Sequence, residues 1–472
     1  MKHAGRAGES SFVNYANKNV GVQQADGTAG LGLSSPIASG MMRGTSTPTR
    51  PVRAIPRRGE KPTRFRPRLG APAAAFLLSL LVILSPDLTL APLSAVEPQR
   101  AGPLPVDHID TPAPPRHLQP MDLVAPGPAP AAGPHVEVDV EPPRATQAQF
   151  ESAIRAAREA GGAYGVTFAA VRDGELLWAG AAGRQREATA PLTADDPLVI
   201  GSVTKTFVAA TILQLAEEER LELEDSVREH LPAMTTISRD ITIRQLLDHT
   251  SGLADVFNDA TRKGLEEHPE RAWTTAQIFK TIHAPWYEPG EGWAYANTNY
   301  FLLGLVIQHL TGSSLADELE ARFLGPLELD DTRLLTAAVD DGGPLAPAWA
   351  TIFWASGAMT ATASDLAAWG DELYGEELLS DESRADMIAL NSHDYGLGLQ
   401  RIELPGALGF GHTGLLNTYT TLLVHVPDQD LTIALLVNRS HVDLVGMLAA
   451  QPSDGPSLLE LVGVEPPALP LP

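Results

Sequence analysis

The sequence predicts an α+β fold in which strands, a long helical insertion and a second set of strands follow one another, the last able to rejoin the first sheet. Three observations lead there. Two β-rich runs, "YGVTFAAVRDGELLWAGAAG" and "YTTLLVHVPDQDLTIALLVN", lie far apart, and each is split by a turn signal, Asp173–Gly174 in one and Pro427–Asp430 in the other. Between them, from Val199 to about Leu345, apolar residues recur mostly at helical spacing. The chain has 472 residues, 44% of them hydrophobic, enough for one large core with additional segments.

Globular patterning begins at "TQAQFESAIRAAREAGG", where Phe150, Ile154 and Ala157 make one apolar helix stripe that Gly161–Gly162 end. The first β-rich run follows as a hairpin. "GSVTKTFVAATILQLAEEERL" places a helix start at Gly201–Ser202, with Phe207, Val208, Ile212 and Leu215 as its buried stripe. "ITIRQLLDHTSGL" starts a helix after Thr242, and His249 to Leu253 read as the turn that ends it. "TNYFLLGLVIQHLTG" is apolar nearly all round, which predicts a buried helix ending at Gly312. Gly396–Gly398 read as a tight turn. The globular domain is expected over residues 146–450, with 451–472 a loose tail.

The N-terminal third reads differently. Residues 1–70 are rich in Gly, Ser, Arg and Pro without an apolar period, which predicts disorder. Residues 97–145 hold 13 prolines and read as a semi-stiff spacer. Between them, within residues 71–96, Ala71 to Ser85 form an apolar run preceded by Arg64, Arg66 and Arg68. Its length is short for a span, which needs about 20 residues, and suits an export signal. A cleaved signal, an uncleaved membrane anchor and a soluble apolar helix all remain open; the first two place the body outside the cytoplasm. A start at Met41 or Met42 would shorten the long stretch before the run.

Charge and composition exclude several functions. The formal charge is −24, and residues 1–70 alone carry 12 Lys/Arg against three Asp/Glu, so the remainder is strongly acidic. Such a body cannot neutralise phosphates, and nucleic acid is not expected as a partner. The sequence contains no cysteine, hence no disulfide, thiolate ligand, Cys nucleophile or lipidated Cys. No H-E-x-x-H or H-x-H occurs, so neither metal nor other cofactor is expected, and the absence of G-x-S-x-G removes the α/β-hydrolase reading.

Lys205 carries the chemistry. It is one of only six lysines among 34 basic residues and follows Ser202 by three positions. Residues i and i+3 share a helix face, so hydroxyl and amine point into the same space. The helix start also offers unpaired N–H groups and a partial positive charge, which favour an oxyanion and disfavour an ammonium. To act as a base near neutral pH a lysine must fall about three pKa units, roughly 4 kcal/mol of differential environment. Arginine stays protonated and cannot do this. Alone, Ser-x-x-Lys is equally a Ser N-cap followed by a surface Lys.

Two later stretches decide between these. "EGWAYANTNYFLLG" contains Tyr295-Ala296-Asn297, and "GFGHTGLLNTY" contains His412-Thr413-Gly414. With "IGSVTKTF" they occur in the order of three motifs of the serine beta-lactamase and penicillin-binding-protein superfamily, which the sequence resembles over about residues 150–445. It looks most like the branch of class C beta-lactamases, D-alanyl-D-alanine carboxypeptidases and related esterases. Lesser echoes are "ITIRQLLDHTSGL", "SGAMTATASDLAAW" and "YGLGLQ". The resemblance implies an antiparallel sheet flanked by helices with an inserted all-helical lobe, and a site between the lobes. It implies Ser202 as nucleophile, Lys205 as the group that takes its proton, and Tyr295 as a partner in proton transfer. Asn297 would orient Lys205 and the substrate, while His412, Thr413 and Gly414 would line the substrate side on an edge strand. The N–H groups of Ser202 and Leu415 would form the oxyanion hole.

His412 stands where many members carry a lysine that holds a substrate carboxylate, and histidine is mostly neutral at neutral pH. The expected substrates are a small peptide, a beta-lactam or an ester, with cell-wall peptidoglycan favoured by export and ester hydrolysis second. A non-catalytic cell-surface binding module of the same fold is the alternative; it should have lost Ser202, Lys205 or Tyr295, and all three are present.

Overall fold

The computed structural model describes residues 146–186, 189–336, 344–375 and 377–465. The expectations for residues 1–145, including the apolar segment and the Pro-rich spacer, lie outside them. Among the described residues no helix is long and apolar enough to cross a membrane.

Helix α1 (Gln147–Ala160) starts at a reciprocal cap, in which the Gln149 N–H donates to Thr146 Oγ1 and the Thr146 N–H donates to Gln149 Oε1. It buries Phe150, Ala153, Ile154 and Ala157. Strands β1 (Gly165–Arg172) and β2 (Glu175–Gly183) pair around Asp173 and Gly174, at φ 50° and 75°. Both central residues are left-handed, the turn whose twist matches a hairpin. Strand β3 (Leu198–Val199) feeds the turn Gly201–Val203 and helix α2 (Thr204–Glu217). Helix α3 (Ile243–Leu247) begins at a Thr242–Gln245 capping box, and α4 (Asn297–Thr311) ends at Gly312, φ 75°. Then come β4 (Arg333–Leu334), α5 (Pro347–Gly357), β5 (Met359–Ala361) and α6 (Ala363–Tyr374). Strands β6 (Gln400–Leu404), β7 (Ala407–Leu416), β8 (Tyr419–Val426) and β9 (Leu431–Val437) complete the main sheet before a last helix, α7 (Leu458–Leu461).

The main sheet is antiparallel with order β2-β1-β9-β8-β7-β6, and β3-β5-β4 form a small second sheet. The late strands do rejoin the first: Phe168 lies opposite Leu435 and Val166 opposite Val437. Alternation divides β1 and β9 between two cores. Val166, Phe168, Ile433 and Leu435 pack toward α1 and α7, whereas Ala169, Val171, Ala434 and Leu436 face α2, α4 and α6. Two ring stacks hold the layers, Phe150 on Trp178 at 4.9 Å and Phe207 on Trp369 at 3.9 Å. The latter fixes α2 against α6, with Trp369 Nε1 donating to Thr206 Oγ1.

Three expectations need correction. Helices do not stop near Leu345 but continue through α5, α6 and Asp381–Ile388. The segment read as a tail is not loose: Leu458, Leu459, Val462 and Val464 are buried in the core beside α1, behind a Ser457–Glu460 capping box. Proline-rich flanks hid a compact apolar turn, and the packed chain runs to Val464. Finally, β7 is not the edge strand. β6 covers it, but only as far as Gly411, so His412 to Leu416 have a free side.

Leu458→Ala should therefore cost about 2–5 kcal/mol in urea unfolding, as for a core leucine; in a loose tail the change would be within about 0.5 kcal/mol.

Candidate active site

Ser202 lies on the tight turn that feeds α2, where Gly201 has φ +53°. The turn is pressed against β7. A Cβ on Gly201 would sit 2.8 Å from the Leu415 amide nitrogen, and one on Gly414 would sit 2.0 Å from the Ile200 carbonyl oxygen. Only glycine at both positions permits this approach. The Thr413 N–H points away from β8 and donates to Gln400 Oε1. By strand alternation the Leu415 N–H leaves the same free side, beside the serine turn. The Ser202 N–H belongs to the first turn of a helix and has no helical acceptor. Two donors therefore border the Ser202 hydroxyl.

Lys205 is fully buried, and its Nζ lies 3.2 Å from Ser202 Oγ. It also donates to Asn297 Oδ1 at 2.9 Å and to the Ser356 carbonyl at 2.8 Å. Those two partners can only accept. A neutral amine has two N–H bonds and one lone pair; both N–H bonds are claimed by the two carbonyls, so the lone pair faces the serine hydroxyl. Burial pulls the Lys205 pKa down to about 7, against the opposing charge of Asp255. Serine, lysine and asparagine meet at one point, and Asn297 is the first residue of α4, after the N-cap Ala296.

Tyr295 lays its ring 4.7 Å from Lys205 Nζ. Burial holds its phenol above the usual range, and the Asp255 charge adds to the rise. The phenol is buried and makes no hydrogen bond in this structure. It stands over Lys205 as a donor without an acceptor.

His412 departs from expectation. Its ring does not line the cleft but turns inward, 1% exposed, leaving Thr413 on the accessible side with its hydroxyl on Gln400 Oε1. His412 ends a chain of fixed polarity. The Ala296 N–H and the Asn299 amide both donate to His249 Nδ1, at 3.3 and 2.9 Å, so His249 carries its proton on Nε2. That N–H donates to the Tyr395 hydroxyl at 3.2 Å, which donates in turn to His412 Nε2 at 3.0 Å. His412 Nδ1–H then meets the Thr413 carbonyl at 2.6 Å. The backbone donor at one end keeps His249 neutral, and the backbone acceptor at the other places a proton on His412 Nδ1. Burial, then the Lys205 charge, lower the His412 pKa to about 3 and take His249 well below its ordinary value.

Sequence reasoning missed Asp255, Tyr395, the Ser356 carbonyl and the role of His249. His249 does sit in the helix-ending turn expected of it, with φ 65°. Gly398, φ 80°, likewise sits in the expected tight turn, against the Lys205 carbonyl and the Tyr300 hydroxyl. A buried histidine and aspartate within ten residues of a short helix were the only signals available.

Comparison with known proteins agrees with this geometry. A family model described as Beta-lactamase matches residues 150–451. Penicillin-binding protein 4* of Bacillus subtilis is 25% identical over 288 residues, 53% of this chain and 62% of that protein. The chain thus spans less than two thirds of that relative. Penicillin-binding protein 4 of Amycolatopsis lactamdurans is 26% identical over 58% of this chain and 80% of its own length. Among solved structures, a D-stereospecific amidohydrolase from Streptomyces sp. superposes with TM-score 0.53 and 29% identity, over 61% of this chain and 94% of that one.

Both imidazoles should stay neutral from about pH 8 down to about pH 5, His412 as the Nδ1–H tautomer and His249 as the Nε2–H tautomer. Long-range proton–nitrogen spectra of the rings read this directly; an imidazolium pattern for either within that range would contradict the chain of polarity.

Proposed function

The chain belongs to the beta-lactamase family, and on that premise we propose that it is an exported serine hydrolase that cleaves amide or ester bonds through an acyl-enzyme on Ser202. One observation carries the reading: the lone pair of Lys205 has no direction left but Ser202 Oγ. The amine takes the hydroxyl proton as Oγ attacks the substrate carbonyl. The developing oxyanion is held by the Ser202 and Leu415 N–H groups, each such donor being worth about 2.7–4 kcal/mol. Tyr295, whose hydroxyl has no other partner, passes a proton to the departing amine or alkoxide. Water then releases the acyl group with the roles of base and acid reversed. Export rests on the Arg-flanked apolar run of residues 71–85.

The leaving side of the substrate is best served by a neutral group. His412 is buried and uncharged, and Arg401, the nearby cation of β6, is engaged by Asp394 and Glu403. Amides and esters without a terminal carboxylate therefore fit better than peptides ending in free D-alanine. The name of the Streptomyces relative, a D-stereospecific amidohydrolase, points toward amides of D configuration, with simple esters as the second substrate class. The penicillin-binding relatives keep peptide carboxylates in view.

A fluorophosphonate should label the native protein and leave Ser202→Ala unlabelled, and turnover of a short acyl nitrophenyl ester should fall at least about 1,000-fold. Absence of label with both this probe and a fluorescent penicillin would favour a binding module. Lys205→Arg should be as inactive as the serine variant, because guanidinium has no accessible lone pair. Run side by side, a D-amino-acid amide should exceed a D-alanyl-D-alanine peptide by about tenfold or more in kcat/KM, a difference of roughly 1.4 kcal/mol in transition-state binding.

A further inference from the structure

Asn297 has an amide of two unlike ends, and its action on Lys205 depends on which end faces the amine. The oxygen does, at 2.9 Å. What holds it there is Asp255. Oδ2 of this half-buried carboxylate accepts from Asn297 Nδ2 at 3.2 Å, and Oδ1 accepts from the Asn297 and Phe257 N–H groups at 3.0 and 3.1 Å. Helix α4 has no side-chain cap from Ala296, so Asp255, arriving from a different segment, sits where the helix start presents free N–H groups and positive potential.

We propose that Asp255 is a positioning residue for the hydrolytic site: its carboxylate fixes the orientation of the Asn297 amide, and through it the direction in which Lys205 offers its lone pair to Ser202. This rests on the acyl-enzyme reading above and adds to it the group that sets the base. Without a carboxylate at position 255 the Asn297 amide has no reason to keep its NH2 on that side. Turned over, it would present N–H to an amine already hydrogen-bonded to Ser356, and the ammonium form would lose an acceptor. The charge acts in the same sense, since Asp255 is the anion that opposes desolvation of Lys205. The other groups facing Lys205 are the rings of Tyr295 and Tyr300, at 4.7 and 5.4 Å, and the neutral His249 and His412. None of them carries negative charge near neutral pH.

The test is the pH profile of labelling of Ser202 by a fluorophosphonate in native protein and variants. The rate rises with pH as Lys205 loses its proton, so a lower lysine pKa moves the rise to lower pH. Asp255→Asn should move the midpoint down by about one unit and reduce the plateau by about tenfold or more, as expected for a misplaced base. Asp255→Glu, which keeps the charge, should hold the native midpoint with a lowered plateau. Should Asp255→Asn not fold, Asp255→Ser, a good helix cap without charge, takes its place and should show the same downward shift. Native midpoint and plateau in the folded uncharged variant would reduce Asp255 to a helix cap and overturn the proposal. An unlabelled Ser202 in the native protein would instead overturn the acyl-enzyme reading, so the two failures are distinct.

Discussion

A buried amine between two carbonyl oxygens is the constraint on which the rest of this site depends. An ammonium taken out of water is costly, and of the three partners offered to Lys205 two are carbonyl oxygens that only accept. One acceptor comes from α4 and the other from the last turn of α5, so both helices must meet α2 at a single point. The third direction is left to Ser202. Much of the surrounding architecture serves this arrangement: the Phe207–Trp369 stack that seats α2, and the paired glycines 201 and 414 that let β7 close against the serine turn.

Around that first ring lies a second layer of aromatic and imidazole groups. His249, Tyr295 and Tyr395 pack ring on ring, with His249 4.3 Å from Tyr295 and 4.8 Å from Tyr395. Such packing excludes water and lowers the local dielectric, which strengthens every charge interaction at the nucleophile. It also carries a risk, because a buried imidazole that took up a proton beside Lys205 would push the lysine pKa lower still. The Ala296 N–H fixed on Nδ1 removes that possibility for His249, and burial opposes it for His412. Polar groups here rigidify the pocket without adding charge.

The degree to which the sequence disclosed this differs by residue, for physical reasons. Hairpin turns, helix caps and the Ser202–Lys205 spacing are local, and each was readable because a few neighbouring residues suffice to specify it. The all-apolar α4 and its glycine stop were equally plain. Partners separated by long stretches of chain were not. Asp255 reaches Asn297 across some forty positions, and nothing in its neighbourhood distinguishes it from a loop aspartate. The Ser356 contact is made by a backbone carbonyl and leaves no trace in residue type at all. His412 was found by motif, but its inward turn depends on Tyr395, which only the folded sheet brings near. The closing helix around Leu458 was obscured by prolines on either side, although its four apolar residues match the gap beside α1.

The distribution of titratable groups explains why histidine suits position 412. Near neutral pH the site has two groups free to exchange protons, Lys205 at about 7 and Asp255 raised by burial to about 6. Burial moves the phenols of Tyr295, Tyr300 and Tyr395 upward and the imidazoles of His249 and His412 downward, out of the working range. A lysine in place of His412 would add a second buried amine beside the first, and the two would titrate as a pair with neither holding a defined midpoint. It would need an acceptor where Tyr395 now donates, so the Tyr395 hydroxyl would have to turn its proton elsewhere while still accepting from His249. The neutral histidine thus follows from the same burial that lowers the Lys205 pKa.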